Sequence, residues 1–267
     1  MPAPIFTPSG AGQAGRRRYH ATELARGPWD PQAQHGGAPA ALLMHALAEL
    51  PGGEQLELAR ITYEFMRPVP LGDLDVHTEV ARDGRRVQML EASVHRPDGT
   101  EVVRARALRV QRAQGVPPAA ATIGPAPPPP PEHGAESDFP IRGATMFGTH
   151  AMEIRFVRGG FHEIGPATAW FRLRHPLFEG LAPTGLERLA AAGDFGNGIA
   201  SQVSWDDYVF INPDLTLYIE RVPGGEWIAL ESSMRIGADG VGLAESVLFD
   251  ERGRVGRALQ SLVIAPR

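Results

Sequence analysis

The sequence predicts an α+β protein in which one structural unit occurs twice. Each half contains an apolar segment of helical length, about 38–50 and 186–203, followed by segments in which apolar and polar residues alternate. Alternation is typical of antiparallel strands with one buried face, and a helix that is apolar on nearly all sides needs a sheet around it. Between the halves lies a proline-rich stretch, GVPPAAATIGPAPPPPPE, which cannot form a core.

The composition excludes several classes of protein. The net charge of −5 gives no support to nucleic-acid binding, which usually requires a basic surplus. The absence of cysteine excludes disulfides, thiolate metal sites and a cysteine nucleophile, and it suits a cytoplasmic location. No apolar run approaches the length of a membrane span, and the nine histidines show no metal-ligand spacing. We therefore expect no metal, no cofactor and no membrane span.

The order of the elements predicts two structural units, a linker between them and a short N-terminal segment. Residues 1–15 are rich in Gly, Ala and Pro, so we expect them to be loosely ordered. The first unit covers 15–112 and the second covers 140–267. Residues 113–139 are predicted to be an exposed, extended linker.

Within each unit, strands follow the helix. The predicted strands lie near 56–67, 73–82, 86–96 and 101–111 in the first unit and near 149–158, 165–175, 211–222, 226–236, 241–250 and 255–265 in the second. Glycine turns, such as Asp83-Gly84, separate neighbouring strands and favour hairpins. The same turn spacing recurs in both units, which indicates an internal duplication.

Motifs in both halves resemble those of the double-hotdog acyl-CoA thioesterases over about 20–267. The motifs are His35-Gly36-Gly37, Phe65-Met66-Arg67-Pro68, Gly193-Asp194-Phe195-Gly196, Asn212-Pro213-Asp214 and Glu226-Trp227. The resemblance implies a tandem hotdog fold, in which two antiparallel sheets each wrap around a long apolar helix. It also implies hydrolysis of acyl-CoA by an activated water, without a covalent intermediate.

The resemblance assigns the catalytic residues to the second unit. Members of the family hold the attacking water with an Asp, a Gln and a Ser or Thr, and the matching residues here are Asp214, Gln260 and Ser233. Ser232 is the second candidate for the hydroxyl, because Met234 stands where a Thr is expected. A carboxylate suits a general base, and a carboxamide can orient a water. We expect Arg60 and Arg106 to be the counterparts of Asp214 and Gln260 in the first unit, so that the two units have diverged.

A second set of residues is expected to bind the substrate and stabilise the oxyanion. His35, Gly36 and Gly37 precede the first helix, where free N–H groups and the helix dipole favour negative charge. Asp194 lies among glycines in the second helix, either close to the thioester or in a satisfied core network.

Two other functions remain open at this point. A non-catalytic acyl-CoA binder is one alternative, because a protein that no longer hydrolyses the thioester could have lost the catalytic hydroxyl. Met234, which stands where a Thr is expected, is the evidence for that loss. A hotdog enoyl-CoA hydratase or dehydratase would need an Asp/His or Glu/His pair facing the substrate, and no His follows Asp214 on its strand. The expected partner is acyl-CoA from fatty acid metabolism. Exposed strand edges also favour a homo-oligomer, a dimer or larger.

Overall fold

The strands and helices were located in a computed structural model that describes residues 2–13, 16–52, 54–113, 125–141 and 143–267. The strands are β1 Phe6–Ala11, β2 Arg17–Ala21, β3 Leu56–Phe65, β4 Gly72–Arg82, β5 Val87–His95, β6 Glu101–Gln111, β7 Met152–Arg158, β8 Ala167–Leu173, β9 Tyr208–Ile211, β10 Asp214–Ile219, β11 Ile228–Ile236, β12 Val241–Asp250 and β13 Gly253–Pro266. The α-helices are α1 Gly37–Ala48, α2 Gly185–Gly193 and α3 Gly196–Ile199. A 3-10 turn covers Pro131–His133, and a π-helical turn covers Phe147–Ala151.

All strands of the described residues belong to one antiparallel sheet. Its order is β1-β2-β4-β5-β6-β3-β10-β13-β12-β11-β8-β7, with β9 added beside β13. Counted from each outer edge of the sheet inward, the strands of the second half therefore follow the same order as the strands of the first half. The two antiparallel sheets expected from the sequence are joined into one, because β3 and β10 pair edge to edge with Thr62 opposite Thr216. This pairing removes both inner edges, which would otherwise be open to other chains.

The helices lie against the inner face of the sheet and against each other. Helix α1 contacts β4, β5 and α2, and ten of its twelve residues are buried, as its apolar sequence predicts. Its C-terminal carbonyls are covered by buried Arg109, which donates to Leu47 O at 2.8 Å and Leu50 O at 3.1 Å. Such contacts satisfy groups that the helix itself leaves unpaired.

The second helix is not the long helix over 186–203 that the sequence predicts. It begins at a capping box, in which the Thr184 and Glu187 side chains bond to each other's backbone N–H, and it ends at Gly193. Gly193, Gly196 and Gly198 weaken the helix, because glycine loses the most backbone entropy when it is ordered. The break places Asp194 at the C-terminal cap of α2.

The N-terminal residues are ordered, contrary to the expectation for 1–15. Ile5 and Phe6 are fully buried, and their N–H groups donate to Pro176 O and Leu177 O at 3.0 and 2.9 Å. Strand β1 pairs with β2. Two large apolar side chains supply the burial that orders this segment.

The predicted linker 113–139 lies partly outside the described residues, which omit 114–124. Its described end packs on the second half: Trp170 Nε1 donates to Pro129 O at 2.7 Å, and Pro131 is buried. Ala135 also exchanges two backbone hydrogen bonds with Phe156. Residues 129–135 therefore pack on the second half, although all of them except Pro131 and Gly134 remain exposed. Among the described residues, no helix is long and apolar enough to span a membrane.

Candidate active site

A pocket of about 490 Å³ opens between the two halves of the molecule. The first half contributes the loop before α1 and the end of β3 with its following turn. The second half contributes Asp194, the start of α3 and the segment around β9. Most of the lining is apolar, and the polar groups gather where α1 begins and α2 ends.

Asp194 is the central acidic group of this site. It caps the C-terminal end of α2 and is 5% exposed. Its Oδ1 accepts a 2.7 Å hydrogen bond from Asn212 Nδ2 and lies 3.4 Å from Gln260 Nε2. A buried carboxylate is stable only when such donors surround it.

Gln260 lies behind Asp194 on the inner face of β13 and is 1% exposed. Its Oε1 accepts from the Asn197 backbone N–H at 3.1 Å, so its Nε2 must face Asp194. The Gln260 Nε2 also donates to Asp194 O at 3.2 Å. A Cβ at Gly196 would come within 2.9 Å of Gln260 Oε1, so the glycine in the helix break permits this contact.

Ser232, the second candidate for the hydroxyl, is on the same side. It is buried on the inner face of β11, and its Oγ lies 2.6 Å from Ser246 Oγ on β12. Both hydroxyls approach Gly196: a Cβ there would lie 2.6 Å from Ser246 Oγ and 3.7 Å from Ser232 Oγ. The serine pair and Gln260 therefore surround the same point of the helix break.

Residues at the start of α1, in the first half of the molecule, lie against the same Asp194 carboxylate. His35 Nδ1 lies 3.1 Å from Asp194 Oδ2, and its ring stacks on Phe195 with the centroids 4.2 Å apart. A Cβ at Gly36 would lie 2.7 Å from Asp194 Oδ2, so only glycine leaves room for the carboxylate. His35, Gly36 and Asp194 are thus brought together as neighbours, with Gly37 at the first position of α1.

His35 Nδ1 has two possible partners and can satisfy one at a time. The Gly37 N–H lies 3.0 Å from Nδ1, and Asp194 Oδ2 lies 3.1 Å from it. With the proton on Nδ1, His35 donates to an ionised Asp194 and the Gly37 N–H is released at the positive end of the helix. With Nδ1 unprotonated, it accepts from Gly37 instead.

Asp214 is not in this cluster, which corrects its assignment with Gln260. In β10, Leu215, Leu217 and Ile219 are buried on the inner face, so the alternation of the strand turns Asp214 to the outer face. Its Oδ1 accepts a 2.6 Å hydrogen bond from the Ser261 N–H, where the β10–β13 ladder begins. This is the role of a turn carboxylate.

Ser233 and Arg106 are also on the outer face. Ser233 follows buried Ser232 in β11 and points away from it. Arg106 is half-exposed and forms an ion pair with Glu91 at 2.6 Å. Arg106 pairs with Thr62 in the first half, and Leu259 pairs with Thr216 in the second half, so Arg106 is the counterpart of Leu259. The counterpart of Gln260 is therefore the next residue, buried Ala107, and not Arg106.

Asn212 and Asn197 connect the members of the cluster. Asn212 Nδ2 bonds to Asp194 Oδ1 and to Asp214 O, whereas Asn197 Nδ2 donates to Phe210 O at 3.2 Å. Asn212 was not among the candidates predicted from the sequence. Its position directly before Pro213, at the start of a strand, indicates a turn beside the candidate residue Asp214.

The arrangement supports attack by an activated water. The Asp194 carboxylate and the Gln260 carboxamide are in direct contact at 3.4 Å, so one water lying beside the pair can contact both a base and an orienting group. At the start of α1, the Gly37 N–H is available to a developing negative charge when His35 Nδ1 does not accept from it. The described residues contain no cluster of His, Asp or Glu that could hold a metal ion.

Two family models match the chain. The model for the acyl-CoA thioesterase N-terminal domain matches residues 25–110, and the model for the C-terminal domain matches residues 120–264. The second match starts inside the predicted linker. No curated protein matches the chain.

Solved structures of similar shape cover nearly the whole chain. A protein of Thermobifida fusca YX proposed to be a thioesterase II has a TM-score of 0.76 and 19% identity, covering 99% of this chain and 100% of its own. A hot dog protein of Alicyclobacillus acidocaldarius has a TM-score of 0.71 and 17% identity, covering 95% and 94%. An acyl-CoA thioesterase II, TesB2, of Mycobacterium marinum has a TM-score of 0.65 and 16% identity, covering 94% and 92%. These likenesses show the hot dog fold.

Proposed function

The chain belongs to the acyl-CoA thioesterase family, and from that premise we propose that it hydrolyses acyl-CoA with a water held by Asp194 and Gln260. Asp194 takes a proton from the water while the water oxygen attacks the thioester carbonyl. The carbon–sulfur bond then breaks, and CoA leaves as the thiolate. No bond to the protein forms, because the base acts on the water and not on the acyl carbon.

The Gly36–Gly37 end of α1 is the proposed oxyanion site. When His35 carries its proton on Nδ1 and donates to Asp194, the Gly37 N–H is released for the carbonyl oxygen. A backbone donor at a helix N-terminus is well suited to a developing oxyanion. His35 is then a positioning residue that fixes the Asp194 carboxylate.

The observation that carries this proposal is the meeting of both halves at one carboxylate: His35 and Gly36 from the first half, Gln260 and Asn212 from the second. The test is release of free thiol from acyl-CoA substrates, detected with a thiol reagent. Turnover supports the proposal. Tight binding of acyl-CoA without thiol release would favour a non-catalytic binder instead.

A hydratase or dehydratase is a second candidate because of one specific observation. The His35–Asp194 pair lines the pocket, with the ring nitrogen 3.1 Å from the carboxylate, and such a pair is what that chemistry needs. Incubation with a short enoyl-CoA separates the two functions. Loss of the enoyl absorbance without thiol release would favour hydration, and thiol release without hydration would favour hydrolysis.

Gly36→Ala is expected to lower kcat by roughly 10- to 100-fold, which corresponds to about 1.4–3 kcal/mol. The added methyl would lie 2.7 Å from Asp194 Oδ2 and would displace the carboxylate from Gln260. Gly198→Ala is the matched control, because its methyl meets only Trp205 at an ordinary 3.6 Å. Thiol release and thermal unfolding are measured for both. Equal activity of the two variants would contradict the proposed position of the carboxylate.

Ser232→Ala is expected to lower kcat about 5-fold, the value of one neutral hydrogen bond of about 1 kcal/mol. Its hydroxyl bonds to Ser246 beside the helix break. Ser233→Ala, on the outer face of the same strand, should stay within about 2-fold of the parent. Steady-state kinetics of both variants decide which serine supports the site; a larger loss in Ser233→Ala would reverse the assignment.

We also propose that the protein acts in the cytoplasm on acyl-CoA of fatty acid metabolism, as a homo-oligomer of this fused pair. The support is the family and the two outer sheet edges, β1 and β7, which can pair with other copies. The two structural units of the proposal begin near Phe6, with β1, and near Pro129, where Pro129 and Pro131 pack on the second half.

A further inference from the structure

The walls of the pocket are unusually aromatic. Seven of its lining residues are Phe or Trp rings: Trp29, Phe65, Phe139, Phe161, Phe195, Trp205 and Phe210. Aromatic residues are only 7% of the sequence, so their concentration at one site is a property of the site and not of the composition.

Rings occur at every depth of the pocket. Phe161, Phe195 and Phe210 are 4%, 2% and 0% exposed, whereas the other lining rings are partly exposed. The aliphatic residues Met66, Ile211 and Val263 lie at the rim and are 41%, 44% and 58% exposed, and Val69, at 4%, is a buried exception. Most of the large side chains of the enclosed wall are therefore aromatic. A site built for a long unbranched chain would need an aliphatic inner wall only, since a flexible chain gains nothing from ring geometry.

Contacts among the rings fix their positions. Trp29 and Trp205 stack with centroids 5.0 Å apart and an interplanar angle of 12°, and the edge of Phe210 meets Trp205 at 4.6 Å. On the other side, Phe139 and Phe161 meet edge to face at 4.9 Å. Such packing restrains each ring, so the wall is preorganised and keeps ring faces and edges beside the pocket.

We infer that the preferred acyl group carries a planar aromatic ring, so that the substrate class is an aryl-substituted acyl-CoA. This inference rests on the proposed function, because the thioester must reach Asp194 for the ring to reach the aromatic wall. A planar ring adds offset or edge-to-face contacts that an alkyl chain of equal size cannot make. Each such pair is worth roughly 2- to 10-fold in an equilibrium or rate constant.

The test compares three thioesters with the same number of acyl carbons: phenylacetyl-CoA, cyclohexylacetyl-CoA and octanoyl-CoA. We expect kcat/KM for phenylacetyl-CoA to exceed the other two by roughly 10-fold, as two ring pairs allow. A value for octanoyl-CoA or cyclohexylacetyl-CoA that equals or exceeds that for phenylacetyl-CoA overturns the inference and leaves the proposed function standing. Thiol release from none of the three overturns the proposed function as well.

Matched substitutions test whether the aromatic rings that line the pocket cause the preference for the aryl substrate. Phe139→Leu and Phe161→Leu should each lower the ratio of kcat/KM for phenylacetyl-CoA over octanoyl-CoA by roughly 2- to 10-fold. Phe249→Leu controls for lost packing, because Phe249 is buried in a separate cluster with Trp170 and Trp227. An unchanged ratio in both pocket variants, or an equal fall in Phe249→Leu, overturns the assignment.

Discussion

Replacement of Asp194 by asparagine is expected to lower kcat by ~10²–10⁴-fold, the usual cost of losing a general base. Asparagine keeps the size and can still accept from Asn212, which lies 2.7 Å from Oδ1, so the fold should persist. KM should change little, because the lost group handles the water and not the acyl chain. Steady-state thiol release and thermal unfolding test both parts.

Asp214→Asn is the matched control for this result. The same chemical change is made on the outer face of β10, where the carboxylate accepts only from the Ser261 N–H among its described contacts. Its kcat should remain within about 2-fold of the parent, as for a surface substitution. If Asp214→Asn abolished turnover while Asp194→Asn did not, the catalytic carboxylate would be on the other side of the sheet.

Asp250→Asn is expected to destabilise the protein by about 1–3 kcal/mol, the cost of leaving buried hydrogen-bonding groups unmatched, because Arg221 is 35% exposed and water partly replaces the lost counter-charge. Asp250 is fully buried, and both of its oxygens accept from Arg221 at 2.5 and 2.6 Å. The N–H groups of Gly224 and Arg252 donate to the same carboxylate at 2.8 Å. The amide would leave the Arg221 guanidinium without its counter-charge. Urea unfolding measures the loss, with exposed Asp239→Asn as the control.

The same residue gives stability a pH dependence. Burial by itself would raise the pKa of Asp250, but hydrogen bonds from Arg221, Gly224 and Arg252 outweigh it and lower the pKa below 3.8. A carboxyl whose folded-state pKa is lowered stabilises the fold above its unfolded pKa, and this stabilisation is lost as the pH falls through the folded-state pKa. The unfolding free energy of the parent should therefore fall below about pH 4, and that of Asp250→Asn should fall less steeply. Parallel curves would contradict the assignment.

The periodicity of the sequence predicted most strands and the helix α1, because alternation and apolar runs are local signals. It did not identify β3 and β10 as the strands that join the two sheets, since Thr62 and Thr216 are far apart in the chain and edge pairing has no local signal. The ordering of Ile5 and Phe6 depends in the same way on a distant partner, the backbone at Pro176 and Leu177.

The candidate site was predicted in part. Gln260, Asp194, His35 and Gly36 were all identified from the sequence, and the structure places them together. Asp214 and Ser233 lie apart from this cluster, because the buried residues of β10 and β11 alternate so that both point outward. The alternation of inward-facing and outward-facing side chains along each strand would have identified Ser232, and not Asp214, as facing inward.

The central claim is that Asp194 and Gln260 act on one water, and a double-mutant cycle tests it most directly. We measure kcat for the parent, Asp194→Asn, Gln260→Ala and the double variant. Gln260→Ala alone should lose less than Asp194→Asn, because it misplaces the water but keeps the base. If both groups serve one water, the double variant is no slower than Asp194→Asn, since the water is already lost to catalysis. Independent losses that multiply in the double variant would contradict the account.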